Sequence, residues 1–355
     1  PSANNEEPLP AKIEQTPSEP EIGRIEFPTT VLRHPHVGNF IRIFSGTGRV
    51  SFRLALERSG RYRETINNIF RAQGLPDDLL YLCLIESNFF PFAVSQTKTT
   101  GLWQFTYGTG RKYGLKIDSW VDERKDPVKS TQAAASYLKD LHGQFGDWLW
   151  VVAAYNTGDE GIRRVLRQTM VMPTSPLDPK VAIKPLTRDF VAKFIASALI
   201  ASEPYRYGFH NIAYDAHLNY DEVLLTESLS LKTIARRTNT TPDAIMKLNP
   251  ALLRNTTPPH EKPFLLRLPV GRGGIFSGFP FALPELPRMP FFCAAKPKSK
   301  ASDPQLKQQR LKMNSRAAFK TAPTRPSRFW PGCAVDPRRC RGKRPSDRQG
   351  AAEGS

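Results

Sequence analysis

The 355-residue sequence is poor in cysteine, with four in all. Cys83 lies in an apolar run and reads as a small core residue. Cys293, Cys333 and Cys340 come much later, in a zinc-unlike spacing with no histidine among them. Neither a disulfide framework nor a metal centre is expected from them. No HExxH sequence occurs, and no cofactor is expected. No run of about 18 apolar residues is present, so no membrane-spanning helix is expected. No signal peptide is visible in these residues. The chain opens at Pro1 rather than Met, which is compatible with a removed export signal or a removed lipid-bearing cysteine. Net charge is scarce outside the C-terminal stretch. Of the formal +18, residues Gly271 to Ser355 supply +13, with 18 Lys and Arg against 5 Asp and Glu. The remaining +5 gives no electrostatic footprint for nucleic acid. Peptide punctuation is plentiful instead: 32 prolines are too many for one compact domain, and the length predicts about two.

The stretch that carries most information is Gly74 to Phe105, GLPDDLLYLCLIESNFFPFAVSQTKTTGLWQF. Pro76 fits a first helical position, and Asp77 and Asp78 put negative charge on the first turn. Residues 79 to 85, LLYLCLI, are uncharged on every face, which predicts a buried helix. It ends on Glu86, with Leu79, Leu82 and Cys83 on the same face, and Pro91 stops its continuation. Apolar surroundings and the negative end of a helix dipole both favour the protonated carboxyl. Such a group is suited to give up a proton near neutral pH. The competing reading is a glutamate that caps a core helix and faces water.

Around this stretch the pattern is helical. Residues 31 to 73 carry apolar positions at helical spacing, Phe40, Ile41 and Phe44 among them. Ser130 reads as the N-cap of a helix running to about Phe145. Trp148 to Tyr155 is apolar and delivers Tyr155 and Asn156 at its end. A further helix is expected from Thr187 to about Ser202. Residues 163 to 186, with four prolines, read as an irregular connection. Between residues 219 and 270, Tyr220–Leu225 and Pro263–Leu268 read as strands. Ser230 and Thr241 are placed to cap two short helices between them.

The series Glu86-Ser87, Gly101-Leu102-Trp103-Gln104-Phe105 and Ala154-Tyr155-Asn156-Thr157-Gly158, in this order, resembles the lytic transglycosylases of the goose-lysozyme-like superfamily, of the membrane-bound type D. The likeness covers roughly residues 31 to 270. It implies a mainly α fold: a lysozyme-like helical catalytic domain over 31–216, then a small α+β LysM-like module, βααβ, over 219–270. Residues 1–30 are expected to be a flexible linker and 271–355 a basic, Pro-rich, disordered tail. The tail reads as a cationic arm, as inert, or as non-native sequence, and its abrupt break with LRLPVG favours one of the latter two.

The resemblance further implies peptidoglycan as partner and Glu86 as the catalytic acid. Glu86 would protonate the bridging oxygen between N-acetylmuramic acid and N-acetylglucosamine. It would then take a proton from the C6 hydroxyl, closing a 1,6-anhydro ring without water. Ser87, Gln104, Phe105, Tyr155, Asn156 and Phe190 are expected to hold substrate. Gln104 and Asn156 would do so through their amides, unless these only tie down their own loops. Phe190 stands where the family normally has Tyr, so it has no hydroxyl to offer. One well-placed glutamate, with only the cluster Asp118, Asp122, Glu123 and Asp126 as an alternative source of a second acid, favours a one-carboxylate mechanism. A goose-type hydrolase and a wall-binding protein with weakened catalysis remain as alternatives. The resemblance implies the periplasm or cell envelope, and it allows outer-membrane anchoring through a removed N-terminal signal or lipid anchor. A monomer is expected. The LysM-like module reads either as a binder of N-acetylglucosamine chains or as a packing appendage.

Overall fold

A computed structural model describes residues 23–169, 173–259 and 263–275. The expected linker up to residue 22 and the tail from residue 276 lie outside them. The element order is α1 Thr29–Leu32, α2 Pro35–Ser45, α3 Arg49–Ala72, α4 Tyr81–Ser87, α5 Tyr107–Lys112, α6 Pro127–Phe145, α7 Trp148–Thr157, α8 Asp159–Arg167, α9 Pro185–Ser202, β1 Tyr220–Leu225, α10 Leu231–Arg237, α11 Pro242–Leu248 and β2 Phe264–Pro269. A 3₁₀ turn, Asp77–Leu80, leads directly into α4.

Helices α2, α4, α6 and α7 pack with α3 and α9 around one large core. Two elements of it are apolar nearly all round, as full burial requires. From Leu149 to Ala154 every residue of α7 is buried, and so is most of α9. The chain is tied down earlier than its composition indicates. Ile25 is buried, and its amide donates to Asp78 Oδ2 at 2.8 Å.

The start of α6 differs from expectation for an identifiable reason. Helix α6 starts at Pro127, capped by Asp126, whose Oδ1 accepts from the amides of Val128 and Lys129 at 2.9 Å each. Ser130 is one turn inside the helix, and its hydroxyl returns to the carbonyl of Asp126. Helix α4 is ended by Asn88 and Phe89, both left-handed at φ 51° and 56°, before Pro91 is reached. Helix α8 occupies part of the stretch expected to be irregular.

Strands β1 and β2 pair antiparallel, Tyr220 opposite Pro269 through Leu225 opposite Phe264. Helices α10 and α11 lie between them in sequence, capped by Ser230 and Thr241 as expected. Their apolar faces form a second, smaller core with the strands. Val121, from the loop before α6, is buried in that second core.

Candidate active site

Glu86 sits on the last turn of α4, one residue before the helix ends. The helix is short, seven residues, and would not persist alone in water; packing holds it. Tyr81, Leu82, Cys83 and Leu84 are all buried, so Leu82→Ala alone would cost about 2–5 kcal/mol. Among the described residues the Glu86 carboxylate accepts no hydrogen bond, so no hydrogen bond offsets its desolvation. Burial pushes its pKa up to about 8, against a pull from the Lys193 ammonium on α9. The same burial raises the Cys83 thiol, with Glu86 adding to the effect. Tyr155 is close enough for Glu86 to contribute to the rise of its phenol as well, although burial is the larger cause.

The loop after α4 is conformationally strained. Of the six non-glycine residues with positive φ among the described residues, Asn88, Phe89, Lys98 and Gln104 lie here. Left-handed backbone costs about 1–2 kcal/mol per residue, more for a bulky one such as Phe89. Strain of this kind concentrates at functional sites. A small antiparallel pairing, Thr100 with Phe105, closes the turn that displays Leu102, Trp103 and Gln104. Trp103 is buried, donates from Nε1 to Thr131 Oγ1 at 2.9 Å, and packs on Phe70.

Of the residues expected to hold substrate, Ser87, Gln104, Phe105 and Tyr155 meet at one turn, though most of their polar atoms are used by the protein itself. Ser87 is buried, and its hydroxyl lies 2.8 Å from the carbonyl of Leu102 and 3.1 Å from that of Cys83. Gln104 donates to the carbonyls of Gly101 (2.9 Å) and Ala93 (3.3 Å), while its Oε1 accepts from Thr99 at 2.8 Å. This is the loop-tying role that competed with sugar binding. The Tyr155 hydroxyl donates to the carbonyl of Trp103 at 2.7 Å. Phe105 is buried in the main core. Asn156 alone of the set is exposed. Phe190 is a core residue of α9, 8% exposed, and not a ring in an open wet cleft. Helix α9 begins two residues earlier than expected, at Pro185, so position 190 is already well inside it.

Ser87 and Tyr155 therefore hold one turn against α4 and α7, and Gln104 ties that turn to its own loop. From Tyr155 a row of half-buried rings runs on, to Tyr137 at 5.4 Å and to Tyr113 at 5.1 Å between centroids. The acidic cluster is structural. Asp118 caps its own turn, Asp122 grips Arg124, Glu123 pairs with Lys129, and Asp126 caps α6. Sequence reading missed Lys193. Its signal is present all the same: it is the only charge after Asp189 in a helix otherwise made of apolar and small residues.

Comparison with known proteins follows the same division of the chain. A family model described as the transglycosylase SLT domain matches residues 66–176. One described as the LysM-like domain of lytic transglycosylase MltD matches residues 219–279. The membrane-bound lytic murein transglycosylase D of Escherichia coli (strain K12) is 31% identical over 179 residues, which are 50% of this chain and 40% of that protein. The peptidoglycan transglycosylase gp16 of Escherichia phage T7 is 41% identical over 91 residues, 25% of this chain and 7% of that one. In the X-ray structure of the lytic transglycosylase Slt from Pseudomonas aeruginosa, the likeness is 26% identical, covers 43% of this chain and 25% of that one, and has a TM-score of 0.34. The chain thus carries a transglycosylase SLT domain followed by a LysM-like domain of the MltD type.

Proposed function

We propose that this protein is a peptidoglycan lytic transglycosylase in which Glu86 serves alone as acid and then base. The observation that carries the reading is a lone glutamate on the last turn of a buried helix, where burial pushes its pKa up to about 8. Among the described residues, no other carboxylate contributes to its pKa. A hydrolase with two carboxylates needs the pair within about 5–9.5 Å, and the acids of residues 118–126 are committed to caps and ion pairs.

The chemistry follows from the one group. The protonated Glu86 carboxyl donates its hydrogen to the oxygen linking N-acetylmuramic acid to N-acetylglucosamine. The bond from that oxygen to C1 breaks, and the departing sugar leaves with a 4-hydroxyl. Glu86 is now a carboxylate, and the Lys193 ammonium favours that state. The carboxylate takes the proton of the C6 hydroxyl, whose oxygen bonds to C1 and closes the 1,6-anhydro ring. Glu86 ends protonated, ready for the next turn. Its raised pKa matters at the first step, because most of the population carries the proton at neutral pH.

Asn156 is the group free to meet an acetamido substituent, and Tyr155, Tyr137 and Tyr113 offer ring faces along one side. Ser87, Gln104 and Phe105 shape the wall, and Phe190 supports α9 from within the core. The substrate locates the protein in the cell envelope. No described helix is long and apolar enough to cross a membrane, so outer-membrane attachment would come through a segment outside the described residues.

Digestion of purified sacculi, followed by mass spectrometry of the released muropeptides, tests the reading. Anhydro ends are expected. Reducing ends would make the protein a hydrolase, and binding without soluble product would make it a wall-binding protein.

A further inference from the structure

The two cores meet at the loop between α5 and α6, and that loop also backs the turn beside Glu86. Gly101 is left-handed at φ 87°, and a Cβ there would come within 1.8 Å of the Arg124 carbonyl oxygen. The Arg124 side chain is buried. Its Nη1 donates to the carbonyls of Lys98 and Phe105, both at 3.1 Å, and so links the two ends of the turn that displays Gln104. Its other nitrogens fork onto Asp122, Nε to Oδ1 at 2.9 Å and Nη2 to Oδ2 at 2.7 Å. A buried guanidinium holds this geometry only while its carboxylate is held too.

The βααβ unit does that holding. The Asp122 amide donates to the Ala251 carbonyl at 2.8 Å, Val121 pairs with Leu252, and the Leu253 amide donates to the Trp120 carbonyl at 2.9 Å. Arg254 lies 4.3 Å over the Trp120 ring and donates to the Ser119 carbonyl. Four residues further on, Asp126 accepts from Arg267 of β2 at 2.9 Å, with both side chains about nine-tenths buried. The docking segment is stiffened from its own side. The Leu231 amide donates to Asn255, Leu229 and Thr257 exchange bonds, and Ser230 pairs with Thr256.

We propose that the βααβ unit is a brace for the catalytic turn, with Arg124 and Asp122 as the positioning residues that carry the load from Ala251–Arg254 and Arg267 to Gly101–Phe105. The effect on turnover rests on the reading of Glu86 given above; the mechanical link does not. A tethered wall-binding module would leave catalysis on small soluble glycans untouched when its contacts to residues 118–126 are loosened. A brace would not.

The test uses the full chain with Arg267→Met and, separately, the milder surface change Arg254→Ala. Hydrogen exchange is read at the amides of Thr100, Gly101 and Phe105, which bond to Phe105, Ala93 and Thr100. Exchange there should speed up about tenfold in Arg267→Met and by a smaller factor in Arg254→Ala, while the interior amides of α9 stay as protected as in the wild type. Release of product from soluble peptidoglycan fragments should fall in the same order, through kcat more than KM. Unchanged exchange at the turn in both variants overturns the brace. Should Arg267→Met unfold the βααβ unit outright, loss of protection at the turn with α9 intact supports the proposal, and a turn that stays protected overturns it. Exchange needs no substrate, so the brace can fail while anhydro products still form, and the reverse.

Discussion

Replacing Glu86 by Gln separates proton chemistry from shape, since the amide is nearly isosteric and carries no transferable proton. Two consequences follow from the carboxyl's pKa, raised from 4.5 to about 8. The first is kinetic: loss of a positioned acid costs about 10²- to 10⁴-fold, and more when one group serves twice. The second concerns stability. The folded-state pKa is the higher one, so between about 4.5 and 8 the fold holds a proton that the unfolded chain has released. The contribution of Glu86 to stability is therefore greatest below about pH 4.5, falls by at most about 1.4 kcal/mol per pH unit through the window, and levels off above about 8. The full window would amount to roughly 4–5 kcal/mol, and because water reaches part of the residue about half of that is expected. Glu86→Gln lacks this dependence. Thermal unfolding of both proteins at pH 4, 6.5 and 8 should show equal stability at pH 4 and a Gln variant more stable by about 2 kcal/mol at pH 8. For a chain of this size that is about 4–8 °C. Parallel curves for the two proteins across pH would refute the argument, because they would mean Glu86 ionises as an ordinary surface glutamate.

Three further substitutions probe the walls of the site. Phe190→Tyr introduces a hydroxyl into the core; it should lower stability by about 1–3 kcal/mol without raising the rate of anhydro-muropeptide release, as read from melting curves and product yield. Tyr155→Phe removes the bond to the Trp103 carbonyl and should cost about 0.5–1.5 kcal/mol in chemical denaturation, with faster amide exchange in residues 101–105. Gln104→Ala breaks three loop contacts, so its effect should appear as a lower melting temperature and a lower kcat, with glycan affinity little changed.

Much of this was legible from local signals. Ser230 and Thr241 cap the helices they precede, and Tyr220–Leu225 forms the expected strand, because those features need only near neighbours. The all-round apolar run before Glu86 likewise fixes both burial and the raised pKa. Local signals failed where a tertiary partner decides. Ser130 precedes an apolar helical pattern and is a good cap by type, but Asp126-Pro127 starts the helix a turn earlier, and Arg267 helps to hold that aspartate. Gln104 has the right chemistry to meet a sugar amide, yet its carbonyl partners exist only once the turn closes. Arg124 drew no notice, since the carbonyls it joins lie 26 and 19 residues away in sequence and its anchor belongs to another core.

The central claim, that Glu86 is a protonated acid at neutral pH, is open to direct measurement. With carboxyl-¹³C glutamate incorporated throughout, and Glu86→Gln as the control that assigns the resonance, the Glu86 signal should titrate with a midpoint near pH 8. A midpoint near 4.5 would contradict the account at its base.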